Sequence, residues 1–276
     1  MFIRFTLLKY SMLGLSRLSV KGSYEILQAL SIGDARFKDL NGIVKNTRTL
    51  TKRLREMEQA GLIKRVDGFY RITEMGFEAL MRIYDIDFES TVKWINLNEF
   101  RKLDDWLRIP LKRLINIFLK TFGRDVISVA LYGSTVSKLF KAGVSDVDIL
   151  YIIEDEAKDP LARENKAFKA FRSSYEYVAF DHWFKMKGFY RYPEITVTPL
   201  RKREALNFQP IYLDMVFHRA ILYDKNSFLN SLFQRLQEEL KNLGSQRVER
   251  ADGSWYWILK PGLKPGETLR INLTGG

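Results

Sequence analysis

One stretch of the chain, Tyr132–Ile153, guides the interpretation of the second half of the sequence; it reads YGSTVSKLFKAGVSDVDILYII. It holds a Gly-Ser pair and then two aspartates, Asp146 and Asp148, separated by one valine inside an apolar run. Residues two apart on a strand share a face, so both carboxylates are predicted to point the same way. Two carboxylates on one half-buried face repel each other and lose hydration, which indicates a compensating divalent cation.

The Gly-Ser pair supplies the other half of the predicted site. The preceding run DVISVALY is β-branched and apolar, and it predicts a strand that ends at Gly133. Glycine at position 133 allows the backbone to approach a ligand closely. Ser134 offers a hydroxyl and a backbone N–H to a phosphate oxygen, at the start of a short helix predicted through TVSKLF. Phosphate, metal and carboxylates would then meet at the ends of adjacent strands.

This arrangement resembles the nucleotidyltransferase superfamily typified by DNA polymerase beta, whose pattern is Gly-Ser followed by Asp-apolar-Asp-apolar. Here eleven residues separate Ser134 from Asp146. The resemblance implies a two-metal Mg²⁺ site and transfer of a nucleoside monophosphate from an NTP to an acceptor hydroxyl. Gly133 and Ser134 would bind the nucleotide, and Asp146 and Asp148 would be catalytic metal ligands. The alternative is a chance polar turn with surface-facing aspartates.

The resemblance also requires a third carboxylate from a later strand, as a metal ligand or as the base for the incoming hydroxyl. Asp214 is the best match, because it lies alone in the apolar, strand-like run PIYLDMVFHRAILYD, where an unpaired carboxylate is costly. A structural ion pair is the alternative role for Asp214. Glu194, which precedes the predicted strand ITVT, is a weaker competitor, and Asp224 has the character of a turn residue.

The N-terminal part has the order helix, helix, helix, hairpin, helix over residues 21–84. Asn46 is a predicted helix cap, Gly61 a helix end and Asp67-Gly68 a hairpin turn. The run LTKRLREMEQAGLIKRVDGFYRITEMGFEAL resembles the recognition helix and wing of winged-helix transcription regulators. Between positions 36 and 65 nine Lys/Arg oppose three acids, which suits nucleic acid. The residues predicted to contact nucleic acid are Arg48, Thr49, Lys52 and Arg53 on the third helix and Arg65 and Arg71 on the wing. A solvated charged face is the alternative.

The composition agrees with a nucleotide or nucleic-acid partner. The 276 residues carry a net charge of +12, which attracts polyanions, although it also serves solubility. There are no cysteines, so disulfides and thiolate metal sites are excluded. The N-terminal stretch 1–20 contains Arg4, Lys9 and Arg17 and no small-residue cleavage site, and no long uncharged apolar run occurs. We therefore expect a cytoplasmic protein with no membrane partner.

The predicted fold class is α+β: an N-terminal winged helix-turn-helix domain (1–90), a helical linker (91–108) and a nucleotidyltransferase-fold domain (109–276) with a mixed sheet flanked by helices. The aromatic-rich stretch 172–192 favours core packing, with base stacking as the alternative. The tail resembles those of archaeal members of the transferase group. Lys260 and Lys264 of this tail could touch a phosphate. A homodimer is possible.

The leading functional hypothesis is a Mg²⁺-dependent nucleotidyltransferase with a DNA-binding winged helix. The second hypothesis is a DNA-binding transcriptional regulator whose transferase-like domain senses nucleotides or is inactive. A third is a toxin–antitoxin component that adenylylates a partner protein. The presence of Asp146, Asp148 and Asp214 favours catalysis, because a sensor could lose one of these acids.

Overall fold

The computed structural model describes residues 22–91, 95–137, 139–251, 254–264 and 266–274. The N-terminal stretch 1–20 considered above lies outside the described residues. The chain divides into two compact units. One holds the chain up to Val92 together with Ser173–Tyr192, and the other holds Lys93–Arg172 together with Pro193–Gly276. Each unit is described by itself.

The described secondary structure mixes helices and strands, as expected for the α+β class. The helices are α1 (Ser23–Ser31), α2 (Phe37–Leu40), α3 (Thr47–Gln59), α4 (Glu74–Thr91), α5 (Leu97–Arg101), α6 (Asp105–Phe122), α7 (Pro160–Arg172), α8 (Tyr175–Met186), α9 (Lys202–Ala205), α10 (Ile211–Met215) and α11 (Phe228–Asn242). The strands are β1 (Ile63–Val66), β2 (Phe69–Ile72), β3 (Val126–Tyr132), β4 (Val147–Ile153), β5 (Ile195–Arg201), β6 (Ala220–Asp224), β7 (Gln246–Glu249) and β8 (Trp255–Ile258). No described helix combines the length and apolar character that crossing a bilayer requires.

The first unit confirms the predicted winged-helix order. Asn46 caps α3, since its side-chain oxygen accepts the Thr49 N–H at 2.9 Å. The hairpin between β1 and β2 turns through Asp67 and Gly68, both at positive φ (50° and 80°), as a tight turn of this kind requires. Apolar residues of α3 are buried at helical spacing, namely Leu50, Leu54 and Met57. Local capping and turn chemistry therefore fix this part of the fold.

Helix α8 belongs to the first unit, although it lies far along the chain. Its Trp183 ring stacks on Phe77 of α4, with centroids 4.4 Å apart and planes 3° apart, and Phe180 meets Phe77 edge-on at 5.1 Å. The aromatic-rich stretch thus packs in a core, which was the favoured expectation. The compact units thus group residues 173–192 with the N-terminal part of the chain.

The second unit is built on a four-stranded sheet in the order β5-β4-β3-β6. Strands β4 and β5 are parallel, and β3 pairs antiparallel with both β4 and β6. One face of the sheet is covered by α11, whose Leu232, Phe233 and Leu236 lie in one buried cluster with Leu150 and Ile152 of β4. Burying an apolar side chain of this size stabilises the fold by about 1.5–3 kcal/mol. This packing fixes the strand ends that carry the site.

Two local expectations in the second unit are wrong. The strand predicted to contain Asp214 begins only at Ala220, and the preceding residues form α10. The reason is helical periodicity, because Tyr212, Met215 and Val216 are all buried at spacings of three and four. The helix predicted through TVSKLF is absent from the described residues of this stretch, and a 3-10 turn forms at Gly133–Thr135.

Candidate active site

The Gly-Ser turn and the aspartates meet at one edge of the sheet. Strand β3 ends at Tyr132, which pairs with Asp148 on β4, and Asp148 pairs in turn with Thr196 on β5. Residues paired across neighbouring strands share a face. Asp146 precedes the first residue of β4 and is exposed, so it lies at the rim of the sheet instead of within the predicted strand.

Gly133 and Asp148 are in close contact. Gly133 has a φ of +73°, and a Cβ built on it would lie 2.3 Å from Oδ2 of Asp148. The turn is held by hydrogen bonds of its own, from the Ser137 N–H to the Gly133 carbonyl at 3.1 Å and from the Thr135 hydroxyl to the Tyr132 carbonyl at 3.1 Å. Both the backbone conformation and the space therefore require glycine at 133.

The electrostatics of the site suit a cation. Asp148 is half-buried, and burial raises the pKa of its carboxyl, with the negative charge of Asp146 raising this pKa further. Among the described residues neither carboxylate forms an ion pair. The hydroxyl of Ser134 likewise makes no hydrogen bond to the part of the chain described. A divalent cation would relieve the repulsion and the lost hydration together.

The pairing of β3, β4 and β5 brings further residues to the site, and the sequence did not identify them as site residues. The Tyr132 hydroxyl lies 2.8 Å from the Thr198 hydroxyl and so spans β4 beside Asp148. Burial raises the pKa of Tyr132, and the charge of Asp148 adds to this effect, so the phenol stays protonated. Thr196 is exposed on the face of Asp148. Only strand pairing reveals these neighbours, because nothing in the local sequence specifies the register between β4 and β5.

The predicted third carboxylate lies on a helix, α10, and not on a strand of the sheet. Asp214 is exposed on α10 and accepts a hydrogen bond from the Trp255 indole N–H at 3.0 Å. Within the described ranges no group of three or more His, Asp or Glu side chains is placed to hold a metal. The Glu194 carbonyl accepts the Val147 N–H at 2.8 Å, which sets Glu194 beside Asp146 at the start of the parallel strand pair.

The predicted nucleic-acid contacts on α3 fall into two groups. Arg48, Thr49 and Lys52 are exposed on the side away from the buried leucines. Arg53 is different, since its side chain is only 12% exposed and its guanidinium lies 2.8 Å from the Glu56 carboxylate. The charge of Arg53 is therefore already compensated within the helix.

The two wing arginines also differ from each other. Arg65 is exposed, and its guanidinium lies 5.7 Å from the centroid of the Tyr70 ring. Arg71 instead forms a bidentate ion pair with Asp34, with both Nε contacts at 3.0 Å. Arg65 thus keeps a charge available to a phosphate, whereas Arg71 stabilises the base of the wing.

Comparison with known families identifies both parts of the chain. Residues 111–206 match the family described as Nucleotidyltransferase domain, and residues 18–83 match the family described as HxlR-like helix-turn-helix. No curated protein and no solved structure gave a significant match. The first match spans the Gly-Ser turn, both aspartates and Glu194, but ends before Asp214. The chain thus carries an HxlR-like helix-turn-helix domain and a nucleotidyltransferase domain.

Proposed function

We propose that this protein is a divalent-metal-dependent nucleotidyltransferase that transfers a nucleoside monophosphate from an NTP to an acceptor hydroxyl, and that its winged helix binds DNA. The observation that carries the proposal is the half-buried Asp148 carboxylate, seated against Gly133 and beside Asp146 at the edge of the sheet. A carboxylate in this position is costly in isolation and favourable with a cation.

The residues present fit a Mg²⁺ site of the kind that combines one or two carboxylates with substrate phosphates. Asp146 and Asp148 would hold the ion. When bound, the ion would supply charge stabilisation at the α-phosphate and at the leaving pyrophosphate. The hydroxyl of Ser134 and the N–H groups of the turn would bind the β- and γ-phosphates and orient the nucleotide.

The transfer itself is a substitution at phosphorus. The acceptor oxygen forms a bond to the α-phosphorus, the bond between the α-phosphorus and the oxygen leading to the β-phosphate breaks, and pyrophosphate leaves. The proton of the acceptor hydroxyl passes to a carboxylate of the protein. We infer that Glu194 takes this role, because its backbone carbonyl accepts the Val147 N–H and thereby places Glu194 next to Asp146 at the start of the parallel strand pair.

A pair of substitutions decides between the two acids. Glu194→Gln should reduce transfer by at least about a hundredfold, in the range seen when a general base is removed. Asp214→Asn should leave most of the activity, because an amide oxygen can still accept the Trp255 hydrogen bond. Full activity in Glu194→Gln together with loss in Asp214→Asn would restore Asp214 as the third acid.

The proposed function is tested by incubating the protein with Mg²⁺, each α-labelled NTP in turn and a cell extract. Label should appear in a macromolecule or small molecule of the extract, and Asp146→Asn should abolish it while the circular dichroism spectrum stays unchanged. Continued labelling by this variant would show that the metal assignment is wrong. The identity of the labelled species would give the acceptor.

A second function, a DNA-binding regulator whose transferase-like domain senses nucleotides, is favoured by one observation. No described carboxylate completes a group of three with Asp146 and Asp148. A sensor would bind NTP and change its DNA affinity without releasing pyrophosphate. Measured pyrophosphate release in the presence of Mg²⁺ separates the two functions.

A further inference from the structure

A pocket opens at the edge of the transferase sheet opposite to Gly133 and Asp148. Its volume is about 250 Å³. Strand β4 ends just before Glu154, β5 just before Lys202 and β6 just before Lys225, and all three of these residues line the pocket. The pocket is also lined by Ile127, Asn226, Phe228, Leu232 and Arg235. Since β4 and β5 each run the whole depth of the sheet, this pocket is separate from the candidate active site.

The pocket has an excess of positive charge. Three cations (Lys202, Lys225 and Arg235) line it against a single carboxylate, Glu154, which leaves a net charge of +2. Glu154 lies 3.0 Å from the Lys225 ammonium and 3.9 Å from that of Lys202, so one acid is shared between two bases. Arg235 donates to the Leu273 carbonyl at 3.0 Å and has no carboxylate partner among the described residues. Such a lining is complementary to a dianion.

The rim of the pocket is held in an unfavourable backbone conformation. Asn226, which lines the pocket, and the adjacent Ser227 both have a φ of 54°, in the left-handed region that asparagine tolerates and that is uncommon for serine. Asp224 holds this turn in place, because its carboxylate accepts the N–H groups of Leu229 at 2.9 Å and Asn230 at 3.1 Å. Strain that the surrounding structure maintains in this way is concentrated at ligand sites.

The floor of the pocket is apolar, which sets the size and character of an occupant. Ile127 and Leu232 are buried there, and Phe228 presents a half-buried ring. Small-molecule sites combine such an apolar lining with a few polar groups that fix orientation. We propose that this pocket binds a small phosphate monoester up to the size of a mononucleotide, with its dianionic phosphate on Lys202, Lys225 and Arg235 and its organic part on the apolar floor.

The test uses the full chain carrying Asp146→Asn and Asp148→Asn, in EDTA at fixed ionic strength, so that nucleotide binding at the candidate active site is suppressed. AMP, inorganic phosphate and adenosine are titrated by calorimetry. AMP should bind, phosphate should bind more weakly, and adenosine should give no heat. Equal binding of AMP and adenosine, or no binding of AMP, would overturn the proposal.

Substitutions then test whether AMP binds in this pocket. Lys202→Gln and Arg235→Gln should each weaken AMP binding at least about tenfold, the equivalent of losing one charge-assisted hydrogen bond. Lys241→Gln is the matched control, since it removes an exposed cation from the last turn of α11, outside the pocket. If Arg235→Gln lowers stability through its lost bond to Leu273, Lys202→Gln decides the outcome. Unchanged affinity in Lys202→Gln would refute the assignment.

Discussion

The site of Gly133 is shaped by Asp148: the Cβ of any other residue at position 133 would lie 2.3 Å from Oδ2 of this carboxylate. The contact joins the turn after β3 to the second residue of β4, two strands that are paired across Tyr132 and Asp148. Glycine at position 133 is therefore required both by the turn and by the position of the Asp148 carboxylate.

Substituting Gly133 separates the effect of its positive φ from the effect of its contact with Asp148. Gly133→Ala should lose about 1–2 kcal/mol of unfolding free energy because φ is +73°, and it should also weaken Mg²⁺ binding because Asp148 must move. Gly262→Ala is the matched control, since Gly262 has a φ of +77° with no heavy atom within 4 Å of the added Cβ. Urea denaturation and a Mg²⁺ titration measure the two effects. Similar Mg²⁺ affinity in both variants would contradict the role of the contact.

Neutralising Asp148 should stabilise the metal-free protein. The pKa of this carboxyl is raised in the folded state, first by burial and then by Asp146. The folded state therefore holds the proton more tightly than the unfolded chain, and stability is lost as pH rises from the ordinary aspartate pKa of about 3.9 through the raised value. In EDTA, the stability of Asp148→Asn should not fall over this pH range. At pH 7 this variant should therefore unfold at a higher temperature than the wild type.

The same titration governs metal binding. A protonated carboxyl is a poor cation ligand, so Mg²⁺ affinity should fall as pH drops through the raised pKa of Asp148. Mg²⁺ should also raise the melting temperature of the wild-type chain more than that of Asp148→Asn. Scanning calorimetry with and without Mg²⁺ at several pH values provides the comparison. A variant that melts below the wild type in EDTA at neutral pH would argue against the electrostatic account.

Two adjacent cations of the winged helix, Lys52 and Arg53, are expected to contribute differently to DNA binding. Lys52 is exposed, whereas Arg53 is paired with Glu56. Lys52→Ala should weaken binding to duplex DNA and reduce the slope of log affinity against log salt by about 0.9, the effect of one lost phosphate contact. Arg53→Ala should leave that slope unchanged. Gel-shift or anisotropy titrations at several salt concentrations give both slopes, and equal changes would show that Arg53 contacts DNA after all.

The packing of α8 predicts that residues 173–192 stabilise the first unit. Trp183 is 8% exposed and stacks on Phe77, so Trp183→Ala should cost about 3–5 kcal/mol. Amides of α4 should then exchange hydrogen faster. Trp255→Ala, on the β7–β8 hairpin of the second unit, is the control and should leave exchange in α4 unaltered. Unchanged protection of α4 in Trp183→Ala would show that α8 contributes nothing to this core.

Features that depend on short-range chemistry were predictable from the sequence. Asn46 caps α3 and Asp67-Gly68 forms the hairpin turn, because both signals act within three residues of the chain. The meeting of the Gly-Ser turn with the aspartates was predictable for a similar reason. Two apolar runs that are joined by a short connection form neighbouring strands of one sheet. The winged-helix order and the meeting of Gly133 with Asp148 followed from these local signals.

Features that depend on long-range pairing were not predictable. The run around Asp214 is apolar enough for either a strand or a helix, and the buried set of Tyr212, Met215 and Val216 selects the helix only when a core is present to receive it. Thr196 lies beside Asp148 through a strand register that no local signal specifies. The assignment of α8 to the first unit depends likewise on contacts between residues about a hundred positions apart.

The most direct test of the central claim is a comparison of transfer from NTP labelled at the α-phosphate and at the γ-phosphate, in Mg²⁺, with wild-type protein and with Asp148→Asn. Nucleotidyl transfer predicts α-label in the acceptor and γ-label only in pyrophosphate. The variant should lose at least about a hundredfold in rate, since even outer partners of metal ligands contribute up to that much. Transfer of γ-label to the acceptor, or undiminished α-transfer by Asp148→Asn, would contradict the account.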